Sequence, residues 1–199
     1  MPRTQLEEIL DRIHELQLQL EQEFNHLLAE KRAQFRYNLE KGRVIFDDGV
    51  HELQRRYRTG VWRYLRDARL THILTAPIVY SVVFPLLLLD LAIFIYQKIC
   101  FRVYGIPQVR RADYVVIDRQ HLAYLNVIEK LNCVYCGYGN GLIEYVREVI
   151  AQTEQYWCPI KHARRTPNPH NRSEKFADYG DVEAFQKKLK ELRKELRGE

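Results

Sequence analysis

From Ile73 to Tyr96 the chain runs 24 residues with no lysine or arginine and a single acid, Asp90. As an α-helix this run is about 36 Å long, against a hydrocarbon core of about 30 Å. Fifteen of its positions are Leu, Ile, Val or Phe. At roughly −0.3 to −0.6 kcal/mol each, they outweigh a cost of about +3 kcal/mol for the aspartate. A buried core helix of a soluble protein is the competing reading. The composition favours insertion, so residues 73–97 are expected to be a membrane-embedded segment.

How the segment inserts stays open. Pro77 and Pro85 can break a helix. A bend near Pro85 would leave arms of roughly 18–21 Å, too short to cross, and so a re-entrant hairpin with both flanks on one side. Arg55, Arg56, Arg58, Arg63, Arg66 and Arg69 precede the run, and Lys98, Arg102, Arg110 and Arg111 follow it. With both flanks basic, charge bias sets no orientation for a single crossing. Asp90 is either a functional acid at depth or a residue that faces a partner helix.

A second feature is Cys133-Val-Tyr-Cys136-Gly137, followed after 21 residues by Cys158 and then His162. If a helix starts at Pro159, a favoured first helical position, Cys158 and His162 sit about one turn apart and can face one point. The set reads C-x2-C-x21-C-x3-H. Three thiolates and an imidazole at Cys133, Cys136, Cys158 and His162 make a closed tetrahedral zinc set with no position for water. Iron or an iron–sulfur cluster could use the same donors. A redox dithiol should follow a strand and open a helix, whereas Arg119–Leu131 reads as helical. Small buried cysteines beside an unattached histidine are the plainest alternative. His121 and His170 read as solvated histidines.

Around these features the fold class is mainly α. Residues 1–40 form a coiled-coil-like arm. Leu6, Ile9, Ile13, Leu16 and Leu20 alternate at spacings of three and four, and Phe24, Leu27 and Leu28 continue the stripe. Thr4 and Glu7 suggest a capping box. The other faces are polar, so residues 6–28 need a partner, either a second copy or another helix. Residues 1–30 lack the apolar core of a signal peptide. Lys41-Gly42 and Asp47-Asp48-Gly49 predict a break near 41–49. Residues 50–72 then read as one basic amphipathic interfacial helix, where Tyr57, Trp62 and Tyr64 interleave with the six arginines. Together with a net charge of +5, this pattern suits anionic lipid headgroups. Nucleic acid would use the same residue types, but the adjoining apolar run favours lipid.

Residues 105–185 read as a small helical module clipped by the metal. The expected order is a strand at 113–118, a helix over 119–131, the cysteine knuckle, a glycine loop at 137–141 and a helix over 142–156. Residues 182–199 form a charged, solvated C-terminal helix that opens at Asp178-Tyr-Gly-Asp181. Ligand-spaced cysteines point to a reducing compartment.

The words Asn132-Cys-Val-Tyr-Cys-Gly-Tyr-Gly-Asn-Gly141 and Tyr156-Trp-Cys-Pro-Ile-Lys-His-Ala163, with Tyr114–Asp118, Tyr124-Leu-Asn126 and Asp178–Asp181, resemble an uncharacterised family of bacterial membrane proteins. The resemblance spans roughly 75–185. It implies a bacterial inner-membrane location and carries no activity. No Ser–His–Asp set, GxGxxG, P-loop or HExxH word is present, and a closed Cys3His shell does not suit zinc hydrolysis. The sequence therefore reads as a non-enzymatic, membrane-anchored, zinc-binding structural or assembly protein with its metal module in the cytoplasm. The alternative is a membrane redox protein or enzyme with an iron or iron–sulfur centre at the same residues.

Overall fold

The computed structural model describes residues 5–40, 43–47 and 49–199. Thr4 of the predicted capping box lies outside them, as do Lys41, Gly42 and Asp48 of the predicted break. The chain forms two compact units, Met1–Thr59 with His121–Asn126, and Gly60–Gln120 with Val127–Glu199.

The first unit opens with helix α1, Gln5–Gln34. Arg36 takes a left-handed conformation, φ 51°, and the arm predicted as helical over 1–40 ends at Gln34, ahead of the predicted break at 41–49. Strands β1, Tyr37–Glu40, and β2, Arg43–Phe46, pair antiparallel from Tyr37↔Phe46 to Glu40↔Arg43. β-branched Val44 and Ile45 suit the pleated strand. The Tyr37 and Phe46 rings pack with centroids 5.8 Å apart. Helix α2, Val50–Arg56, follows Gly49, whose φ of 82° suits glycine. Residues 121–126 join this unit through the Ala123 N–H, which donates to Gln54 Oε1 at 3.0 Å.

The second unit begins with α3, Val61–Asp67. One helix was predicted over 50–72, but α2 and α3 are separate. Gly60 is extended (ψ 145°) just before α3, and Ala68 and Arg69 are extended (ψ 141° and 137°) just after it. From Leu70 the chain is helical for 35 residues, to Tyr104. This stretch comprises α4 (Leu70–Ser81), α5 (Val83–Tyr96), a π-helical turn at Gln97–Phe101 and α6 (Arg102–Tyr104).

The re-entrant hairpin is corrected. Pro85 removes one N–H from the ladder, but Val82 stays right-handed helical (φ −63°, ψ −17°). The Val82 N–H bonds the Val79 carbonyl, and the Leu86 N–H bonds the Val82 carbonyl. Only one turn tightens, and the axis is not reversed.

At Gly105, φ 70°, the chain leaves the helix and returns as a largely irregular strip, with 3-10 turns at Arg111–Asp113 and Arg119–His121, that leads to α7, Val127–Trp157. The 35-residue helix and α7 run parallel, since Tyr80 of α4 meets Asn132, and Leu86 and Tyr96 of α5 meet Gly139 and Thr153. The return strip runs antiparallel between them. Its Val109 is held at both backbone groups by the Gln97 amide.

Three predictions for this region fail together. Residues 113–118 form no strand, residues 119–126 are a 3-10 turn and loop, and Gly137–Gly141 are helix. The glycines explain why. A Cβ on Gly141 would lie 2.5 Å from the Tyr114 carbonyl oxygen and 2.7 Å from Val115 Cα, and one on Gly137 would lie 3.1 Å from the Val116 oxygen. Glycine costs a helix about 1 kcal/mol relative to alanine. Here its bare backbone lets the return strip lie directly on α7.

Phe101, Ile106, Leu142, Tyr145, Val146, Val149, Tyr156 and Leu196 form the buried core. Leu196 belongs to α8, Val182–Arg197, which opens at the predicted Asp178–Asp181 run, with Asp181 as N-cap accepting the Ala184 N–H at 2.9 Å. The reading as a charged, solvated helix face misses an inner side. The helix buries Leu192 and Leu196, and Arg193 lies 4.7 Å over the Tyr156 ring.

Candidate functional site

The four residues read as metal ligands are dispersed. Cys133 and Cys136 lie one turn apart inside α7, half-buried and exposed respectively. Cys158 follows the last residue of the same helix, and its N–H still bonds the Glu154 carbonyl at 2.8 Å. Twenty-one residues of continuous helix lie between Cys136 and Cys158, and the 22 steps span about 33 Å at 1.5 Å per residue. A zinc ion reaches its sulfur ligands at about 2.3 Å, so this geometry cannot close the Cys3His set on one ion.

His162 lies in an exposed loop without helix, so the turn expected after Pro159 is also absent. Desolvation, then the neighbouring Glu154 carboxylate, pushes the Cys158 thiol up. Among the described residues no group of three or more His, Cys, Asp or Glu is placed to hold a metal. The same dispersal applies to an iron or iron–sulfur centre on these residues.

The structure instead assembles a polar clamp around Asp90. The Arg111 guanidinium donates to both Asp90 oxygens, from Nε at 3.1 and 3.2 Å and from Nη2 at 2.8 Å. The Tyr138 hydroxyl donates to Asp90 Oδ2 at 3.0 Å, and Arg111 also lies 5.8 Å over the Tyr138 ring. The hydrogen bond to Asp90 raises the Arg111 pKa, partly offset by desolvation. Burial, then the bond to Asp90, raises that of Tyr138. Asp90 thus meets partners on the return strip and on α7. Every member is held by another. The arrangement ties α5, the strip and α7 together.

Farther along α7, Arg172 bridges Glu148 and Gln155, and His170 pairs with Glu154 at 2.9 Å. His170, read as solvated, is therefore an anchor for the loop before α8. Gln97, Arg111, Tyr138 and Arg172 carried no local sequence signal, because their partners lie 12 to 48 residues away.

The broadest functional feature is the outer face of the 35-residue helix. It is long and apolar enough to cross a membrane, with a mean hydropathy of 2.5 over its most apolar 18 residues, none of them buried. Leu86, Leu89, Ile93 and Tyr96 pack inward on the core. Phe84, Leu87, Leu88, Leu91 and Ile95 are exposed. On the preceding helix, Trp62 is 87% exposed. No protein-family model, curated protein or solved structure matches the chain.

Proposed function

We propose that the chain is a non-enzymatic, membrane-anchored structural or assembly protein. The observation that carries this is the exposed apolar face of Leu70–Tyr104. A contiguous apolar patch of this length in contact with water would drive association, and lipid is the partner its length and flanking charges suit. Arg55, Arg56, Arg58, Arg63, Arg66 and Arg69 supply attraction to anionic headgroups. The motif resemblance and the free thiols support a bacterial inner membrane with the α7 region on the cytoplasmic side.

In this reading α1 is the assembly arm. Ile9, Ile13, Leu16, Leu20, Phe24 and Leu27 are between 42% and 69% exposed, so the heptad seam is available to a second copy or a helical partner. The reading needs no metal, since the structure does not draw Cys133 and Cys136 towards Cys158, which lies about 33 Å further along the helix. The test is fractionation of membranes from expressing cells. The protein is expected to stay in the pellet after 1 M salt and after carbonate at about pH 11. Release by salt alone would mean that the arginines, and not the apolar face, hold it there.

A further inference from the structure

We infer that the apolar helix Leu70–Tyr104 lies in the plane of the membrane, sunk into one leaflet by its outer face, and does not cross. The inference rests on the membrane reading above and specifies its geometry.

The inner face of the helix carries Asp90 and is covered by the return strip and α7. Asp90 is three residues past Leu87, the midpoint of the 35-residue helix. Beside it runs the return strip, where the side chains of Arg110, Arg111 and Asp113 are 80%, 44% and 55% exposed. A crossing centred on the helix would carry these charges into hydrocarbon, at a site open on one side to lipid. Sliding the crossing towards the N-terminal half exchanges one set of charges for another. Tyr80 there hydrogen-bonds Asn132, so Glu129 and Lys130 of α7 would enter the bilayer. Because α7 and the strip lie alongside α5 along its length, no depth of crossing leaves the apolar helix alone in lipid.

An in-plane helix removes the conflict. Phe84, Leu87, Leu88, Leu91 and Ile95 recur at spacings of three and four, which places them on one face. They are exposed, whereas Leu86, Leu89 and Ile93 face the core and Asp90 faces the strip. The apolar side can then face acyl chains while the charged strip and α7 face headgroups and water. Both ends carry cations on long stems, Arg63, Arg66 and Arg69 before the helix and Lys98 and Arg102 near its end. Such side chains reach headgroups from a shallow helix. The same geometry explains why charge bias gives no crossing direction, since both flanks are on one side.

The test is a depth scan of the full chain in vesicles of phosphatidylcholine with phosphatidylglycerol. Flotation of the unlabelled protein comes first. A chain that stays soluble, as a monomer or as a dimer that buries the apolar face against itself, overturns both the membrane reading and this inference. For a chain that floats, nitroxides at Phe84→Cys, Leu88→Cys, Leu91→Cys and Ile95→Cys report immersion, with the native cysteines replaced by serine. An in-plane helix gives all four the same depth to within about 5 Å, one helix radius. A crossing gives a steady change of about 16 Å from position 84 to 95, which overturns the inference and leaves the membrane reading standing. Trypsin on the wild-type chain in sealed inside-out vesicles gives an answer that does not depend on labelling. Cleavage in both Arg63–Arg69 and Arg164–Arg165 supports the in-plane helix, and protection of either flank contradicts it.

Discussion

Helices α1 and α7 have nearly equal lengths, 30 and 31 residues, yet their sequences advertise opposite things. The heptad stripe of α1 is the clearest helical pattern in the chain, and its hydrophobic residues are exposed. Helix α7 is interrupted by Gly137, Gly139 and Gly141, reads as two helices with a loop between, and forms the spine of the buried core. Periodicity reports that a helix has an apolar side, not that this chain covers it. Glycine reports missing side chains, which in α7 means a backbone packed against the helix, not a turn. A helix's worth to the fold is decided by what lies on it.

The comparison is sharpest at the glycines. Gly141→Ala forces a Cβ against the backbone of Tyr114 and Val115, and a loss of about 3 kcal/mol is expected. Gly139 is the internal control, because its Cβ would meet only the Leu86 side chain at 3.5 Å. Gly139→Ala is expected to be neutral or to stabilise by up to about 1 kcal/mol from helix propensity. Denaturant titration in detergent, followed by circular dichroism, measures both. Equal losses at the two positions would mean that the strip does not lie on Gly141.

Next in size is the Asp90 clamp. Arg111→Ala leaves a mostly buried carboxylate without its cation, and about 2 kcal/mol is expected, less than for a fully buried pair because Arg111 is half-exposed. Adding Asp90→Asn should recover part of that loss, so the two changes should be non-additive in a double-mutant cycle. Strict additivity would mean that the clamp does not form.

A smaller effect concerns the Lys161–Asp178 pair, 2.9 Å apart at the surface. The Lys161 hydrogen bond and charge hold the Asp178 carboxyl below its ordinary range. The folded state therefore binds fewer protons there than the unfolded chain. The pair's contribution is fully present above the ordinary carboxylate pKa and is lost as pH falls through the lowered folded value. Wild type should exceed Lys161→Ala by roughly 0.2–1 kcal/mol at neutral pH, and the gap should close in acid. A gap that widens in acid would have the wrong sign for this pair.

The smallest effect on stability belongs to α1. Ile13→Asp with Leu16→Asp should change the unfolding of the α7 core by less than about 0.5 kcal/mol, as expected of exposed positions. In sedimentation, the same pair should shift an associated species towards monomer. Loss of core stability would remove the contrast between the two helices.

What the sequence made legible follows from the range of each interaction. The apolar run, the heptads of α1 and the Asp181 cap are written within a few residues of one another, and each gave a real helix or helix start. The hairpin at Pro85 failed because a single missing N–H was absorbed by one tightened turn at Val82. For a related reason the metal set is not gathered. Ligand spacing in the sequence carries no information on the helix that fixes the distance, and the glycines that made a loop plausible serve the return strip. Gln97, which grips Val109, and Arg111, which grips Asp90, are contacts across the fold that no local pattern encodes.

The central claim is that α7 runs unbroken and so holds its cysteine pair away from Cys158 and His162. Cys136 and Cys158 are both exposed, so each can take a nitroxide in the full chain once Cys100 and Cys133 are replaced by serine. Double electron–electron resonance then measures the separation directly. A continuous helix gives a single distribution centred near about 33 Å between backbones, broadened by the label arms. A distribution centred below about 15 Å, under half the span of that helix, would bring the two thiols towards one site and contradict the account.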